Sequence, residues 1–246
     1  MKKIFQSFLI LLFVVITSTG FAAPILFTGS SGTHSASVYF DTSGTNLFVT
    51  LSNISSSDVL VPTDVLTGVF FNISPILTPV SATLHSGSTV FFGPINGGNV
   101  GGEWANVNNQ GITGSRPPDG ISSSGLGIFG DGNFGGVNLQ GPDSTDGLQY
   151  GLTSAGDNPA TGNAPVTGGN ALIKNSVDFI LSGLPGGFDP STGITNVLFQ
   201  YGTGLEEPTI PGNPPSNPVP EPGTMLLLGS GLVGLAGYGR KKFLRN

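Results

Sequence analysis

Two neighbouring runs, SASVYF (Ser35 to Phe40) and TNLFVTLSN (Thr45 to Asn53), alternate apolar and polar residues with a period of two. Only an extended strand sends successive side chains to opposite faces, so each run must bury one face and wet the other. The link between them, DTSG (Asp41 to Gly44), is short and ends in glycine, which predicts a hairpin. DVLTGVFFNI (Asp64 to Ile73) is apolar without alternation, the pattern of a strand covered on both faces. Val80 to Ser86 and Ser88 to Phe92 predict a second hairpin about Gly87. Ser176 to Leu184 and Ile194 to Tyr201 read as late strands joined by the loop PGGFDPSTG. Nothing between the two chain ends repeats every 3.6 residues. The expectation is an all-β chain, with one β-sandwich-like domain over residues 23–205.

The middle, residues 93–170, breaks the strand pattern. It holds 21 glycines in 78 residues and few apolar side chains. Such a stretch buries too little surface to offset its own ordering entropy unless it lies on something else. It reads as a long Gly/Asn-rich surface loop with short strands inserted into the domain, not a second domain, pinned to the strand core by Trp104, Ile128, Phe129, Phe134, Val137 and Leu139. Residues 206–218, rich in proline and asparagine, read as an extended polyproline-like spacer.

The ends carry a different signal. Lys2 and Lys3 precede an apolar run from Ile4 to Ile16, and small residues follow up to Gly20-Phe21-Ala22. Residues 1–22 therefore read as a secretory signal peptide cut between Ala22 and Ala23, with an uncleaved anchor as the alternative. This implies the Sec translocon and a signal peptidase as partners. At the other end, residues 224–239 are apolar and short, about 24 Å as a helix against a hydrocarbon core of about 30 Å. Five of these 16 residues are glycine, which unravels a helix in water but not in lipid, where the backbone has no other partner. Arg240, Lys241 and Lys242 follow and mark the cytoplasmic side. Pro220 and Pro222 hold the chain just before the helix extended, where a protease can bind it as a strand.

This order (Pro220-Glu221-Pro222, a short membrane helix, then Arg240-Lys241-Lys242) resembles the PEP-CTERM sorting signal over residues 219–246. The resemblance implies that exosortase, an integral-membrane cysteine protease of Gram-negative bacteria, reads the tail and removes it. The body also resembles exosortase-dependent surface proteins in LFVTLSN, DVLTGVFFNI and FQYGTGLEEP (Phe199 to Pro208). That likeness implies an exported β-rich protein and assigns no catalytic residue.

Charge narrows the partners. From Ala23 to Gly223 the chain keeps two cations, Arg116 and Lys174, against all 14 acids, a formal charge of −12. So few cations cannot neutralise a phosphate backbone, which argues against nucleic acid as a partner. There is no cysteine, so disulfides, thiol catalysis and Cys-based zinc sites are excluded.

The search for chemistry yields little. GLGIFG (Gly125 to Gly130) and GDGNFG (Gly130 to Gly135) match the dinucleotide fingerprint, but no helix follows either to receive a pyrophosphate. His34 and His85 stand beside serines without a nucleophile-elbow pattern. Asp131, Asp143 and Asp146, with Asp157 and Asp189, lie in Gly/Asn-rich loops that suit calcium, yet aspartate in turns commonly bonds its own backbone. No cofactor is required by the pattern. The expected role is non-enzymatic: an exported surface or matrix protein, transiently held in the inner membrane, cut by exosortase and associated with exopolysaccharide. The alternative is a lectin-like module that holds polysaccharide with Trp104 and loop aromatics.

Overall fold

A computed structural model describes residues 23–109, 115–127, 134–140, 145, 147–215 and 229–231. Among these residues the strands form two sheets around a shared apolar core. The first sheet is antiparallel and comprises β1 (Ile25–Ser31), β2 (His34–Ser43), β3 (Asn46–Asn53), β5 (Thr78–Leu84) and β12 (Ser176–Ser182). Its order is β1-β2-β3-β12-β5. The second sheet is centred on β4 (Leu66–Ile73) and includes β6 (Thr89–Phe91), β7 (Ala105–Val107), β8 (Asp119–Ser122) and β9 (Val137–Asn138). The short strands β10 (Leu152–Thr153) and β11 (Leu172–Lys174) join it, as do β13 (Ile194–Tyr201) and β14 (Thr209–Pro211). One helical turn, α1 (Pro190–Gly193), interrupts the loop before β13, where Asp189 accepts a hydrogen bond from Ser191 N–H at 2.9 Å.

Alternation explains the first sheet. Ala36, Val38 and Phe40 of β2, and Leu47, Val49 and Leu51 of β3, point inward and are buried, while Ser37, Tyr39, Phe48 and Thr50 face out. The expected hairpin forms with Ser43 opposite Asn46, and Gly44 takes the left-handed conformation (φ +62°) that the tight link needs. β4 is buried on both faces, as its unbroken apolar run demands. Its partners lie along both edges: β13 on one, β8 and then β10 on the other. Between the sheets Phe40 meets Phe71 edge-on at 5.2 Å, and Trp104 meets Phe179 at 5.0 Å. Each such pair adds about 0.5–1.5 kcal/mol beyond the area it buries.

Three expectations about organisation are corrected. The segments flanking Gly87 do turn there, with Ser88 N–H bonded to His85 O at 2.9 Å, but they form no hairpin. β5 pairs with β12 in the first sheet, whereas β6 pairs with β11 in the second. The Gly-rich middle does carry the expected short strands, but it is not a loop laid over a finished core. β8 is wholly buried beside β4, and Gly120 lets it approach so closely that a Cβ there would lie 2.4 Å from the Phe70 ring. Glycine here serves close packing of backbone on ring, not flexibility. Trp104, Phe134 and Leu139 are buried as pinning residues, but Val137 is 67% exposed. Ile128 and Phe129 lie outside the described residues.

The third correction concerns the spacer. Thr209–Pro211 is strand β14 on β13, with Ile210 buried. Asn213 then exchanges two backbone hydrogen bonds with Thr28 of β1, at 2.9 and 2.8 Å, which ties the second sheet to the edge of the first. An apolar residue with a slot to fill, next to an edge offering unpaired backbone groups, outweighs the polyproline bias of its neighbours.

Candidate functional site

Where β6 ends, the chain builds an open cleft of about 410 Å³. Phe92 leaves the strand in a left-handed conformation (φ +57°) and stands 49% exposed on one wall. Gly93 passes so close to Ala171 that a Cβ would sit 2.4 Å from the alanine methyl. Tyr150, also left-handed (φ +53°), donates its hydroxyl to Pro94 O at 3.0 Å and its N–H to Ala171 O at 2.7 Å. A left-handed backbone is uncommon in bulky residues, and two of them frame this cleft. Asn96, Asn99, Gln149 and Asn170 line it with amides, and Glu103 supplies a carboxylate.

The two cations outside the chain ends are both used by the fold. Arg116 is 8% exposed and donates Nε–H to Gln200 Oε1 at 2.9 Å and Nη2–H to Leu205 O at 2.8 Å. Burial pushes its guanidinium below the ordinary arginine value. Lys174 donates to Asp157 O at 2.8 Å and lies 5.9 Å over the Phe91 ring. Among the described residues no cation is fully exposed.

The FQYGTGLEEP run acquires a structural meaning. β13 ends at Tyr201, and Gly202 turns with φ +70°. The Glu207 carboxylate accepts the N–H groups of Thr203 and Gly204, the latter at 2.5 Å. Gln200, fully buried, donates to Tyr201 O at 2.5 Å and accepts from Arg116. Gln200 and Glu207 thus both hold the turn that leads into β14.

Each histidine is tied to a carboxylate. His34 Nε2 lies 3.1 Å from Asp64 Oδ1, and its ring tilts over the buried Tyr201 ring at 4.5 Å. Burial pushes the Tyr201 phenol far above its ordinary value. A void of about 10 Å³, the size of one water, lies among His34, Ser55 and Tyr201. His85 Nδ1 lies 2.9 Å from Asp178, which also accepts from Thr50 Oγ1 at 2.6 Å. No serine hydroxyl bonds either imidazole among the described residues.

Trp104 requires a correction. It is fully buried against Phe179, and its Nε1–H finds no acceptor among the described residues. A side chain inside the core cannot touch a sugar, so Trp104 is no ligand contact. Its position follows from the strands that close over it, which local sequence does not reveal. Of the acids, Asp157 is buried and accepts from Val59 N–H at 3.0 Å, with its carboxyl pushed upward mainly by burial. Asp189 caps α1, which is backbone service in a turn. Asp131, Asp143 and Asp146 lie outside the described residues, as do Ala22, Pro220, Glu221, Pro222, Arg240, Lys241 and Lys242. Ala23 is exposed irregular chain. Among the described residues no three His, Cys, Asp or Glu side chains converge on one point, and no helix is long and apolar enough to cross a membrane.

Comparison with known proteins adds one finding. Residues 218–241 match the family model described as the PEP-CTERM protein-sorting motif. No curated protein and no solved structure matches the chain.

Proposed function

We propose that this chain, which carries a PEP-CTERM protein-sorting motif, is an exosortase substrate exported as a cell-surface or extracellular-matrix protein. The observation that carries the reading is the motif match over residues 218–241. The chemistry of the tail supports it: a proline-held extended segment, an apolar run and a basic stop follow in that order. The chain enters the Sec translocon by its leader, signal peptidase cuts after Ala22, and the C-terminal run sits in the inner membrane until exosortase cuts near Pro220-Glu221-Pro222. The β-rich part acts outside the cell as a structural component associated with exopolysaccharide, not as an enzyme. Its imidazoles and buried carboxylates already have partners that build the fold.

Intact mass of the protein from cells with and without exosortase tests this. The expected result is loss of the tail only where exosortase is present, and retention of the tail in Glu221→Ala. A surface-displayed form that still holds residues 224–246 in exosortase-competent cells would overturn it.

A second reading, a carbohydrate-binding module, is favoured by the cleft around Phe92 rather than by Trp104.

A further inference from the structure

The cleft between the end of β6 and the Gln149–Tyr150 turn has a chemistry that selects among ligands. Its volume of about 410 Å³ falls within the range of about 300–1,000 Å³ typical of small-molecule sites. No lysine or arginine lines it, so it offers nothing to a phosphate or sulfate. Glu103 is the one lining carboxylate, and among the described residues no three His, Cys, Asp or Glu side chains gather there to hold a divalent cation. Asn96, Asn99, Gln149 and Asn170 make the walls too polar for a lipid tail.

What remains is a neutral ligand rich in hydroxyl groups, with one flat apolar face. Asn99 spends its Oδ1 on Gly101 N–H at 2.9 Å, and its Nδ2 makes no hydrogen bond among the described residues. Asn170 spends its Nδ2 on Pro165 O at 3.1 Å, and its Oδ1 makes none among the described residues. One donor and one acceptor are thus fixed in place by their own side chains' other bonds, and each is open to a hydroxyl, which both gives and accepts. Phe92 supplies the flat surface. Its exposure costs apolar contact with water and its left-handed backbone costs strain, and both are retained at the cleft's wall. Tyr150, bonded to Pro94 O and Ala171 O, holds the opposite wall at a set spacing, so the site is built before any ligand arrives.

We infer that this cleft binds one or two residues of a neutral polysaccharide, with a sugar face on Phe92 and hydroxyls on Asn99 and Asn170. The inference rests on the carbohydrate-binding reading and assigns it a site. It is independent of how the chain is sorted.

The test uses the full-length chain in detergent and a panel of gluco-, galacto- and manno-configured neutral disaccharides, with uronic-acid disaccharides of equal size alongside. Binding is read by saturation-transfer NMR, and folding by thermal unfolding of the same samples. The expected result is saturable binding of at least one neutral disaccharide, with its uronic counterpart at least about tenfold weaker because Glu103 and the net acidity repel it. Phe92→Leu, which keeps apolar bulk, weakens binding about fivefold, while Phe92→Tyr stays within about twofold. Both variants unfold at the wild-type temperature, since Phe92 is half exposed. Saturable binding that Phe92→Leu leaves unchanged would overturn the site while sparing the carbohydrate reading. Binding of none of the neutral sugars would overturn both, and preference for the uronic sugars would overturn the ligand class.

Discussion

Trp104 offers a sharp test of the two-layer core. It is wholly buried, stacked edge-on with Phe179 of β12, and its backbone carbonyl accepts Leu139 N–H at 2.8 Å. Replacing it with alanine removes the largest side chain in the core and leaves a cavity between the sheets. Large-to-small changes of this kind cost about 3–5 kcal/mol. For a domain of this size that lowers Tm by roughly 6–20 °C, at about 2–4 °C per kcal/mol. Trp104→Phe should behave quite differently. It removes part of the ring, at about 1–2 kcal/mol on the same scale. It also removes an indole N–H that is buried without an acceptor, which recovers about 1–3 kcal/mol of desolvation cost. The two effects nearly cancel, so Trp104→Phe stays within about 1 kcal/mol of the wild type. Trp104 is the sole tryptophan, so the variants are compared by far-UV circular dichroism, and wild-type emission reports a buried indole. If Trp104→Phe proves as damaging as Trp104→Ala, the argument from the unpaired N–H is wrong. If Trp104→Ala unfolds at the wild-type temperature, the ring is not in the core at all.

Other consequences can be checked in the same material. Gly202→Ala should destabilise by about 2 kcal/mol or more, since it combines a left-handed backbone with a Cβ placed 2.3 Å from Glu207 Oε2; chemical denaturation would measure it. Glu207→Ala should cost about 1–3 kcal/mol by stranding the N–H groups of Thr203 and Gly204, and loss of slow hydrogen exchange at those amides would accompany it. Asp157 is buried and its carboxyl is raised above the ordinary value. Its contribution is therefore full below the unfolded-state pKa and is lost as pH rises through the folded-state pKa. Asp157→Asn keeps the oxygen that accepts Val59 N–H and abolishes this loss, so it should stabilise the protein at neutral pH and flatten the acid side of its stability profile, as read by unfolding at several pH values.

Strand identity was legible in the linear chain wherever alternation was clean, as in β2 and β3, or wherever an apolar run was unbroken, as in β4. β1 carries no such signal, because ILFTGSS turns polar halfway and contains a glycine. The pairing of β5 and β6 is not legible in the chain, because a turn at Gly87 is a local fact and the choice of partner is not. β5 completes the first sheet on β12, about a hundred residues away, and β6 meets β11 in the other. The same holds for the candidate site. Phe92, Asn99, Tyr150 and Asn170 carry no spacing that marks them as one cluster, and only the return of Ala171 past Gly93 brings them together. The one local hint was the FF-G-P order at residues 91–94, an aromatic pair at a strand end followed by chain breakers.

From sequence alone came the sorting motif and the all-β character, since an extended proline-held tail and a period of two are properties of short stretches read one at a time. Exposure was decided only in three dimensions: which faces are covered depends on strands brought from far along the chain. That is why Trp104, the aromatic most suited by type to hold a sugar, ends inside the core, and Phe92 stands at the cleft in its place.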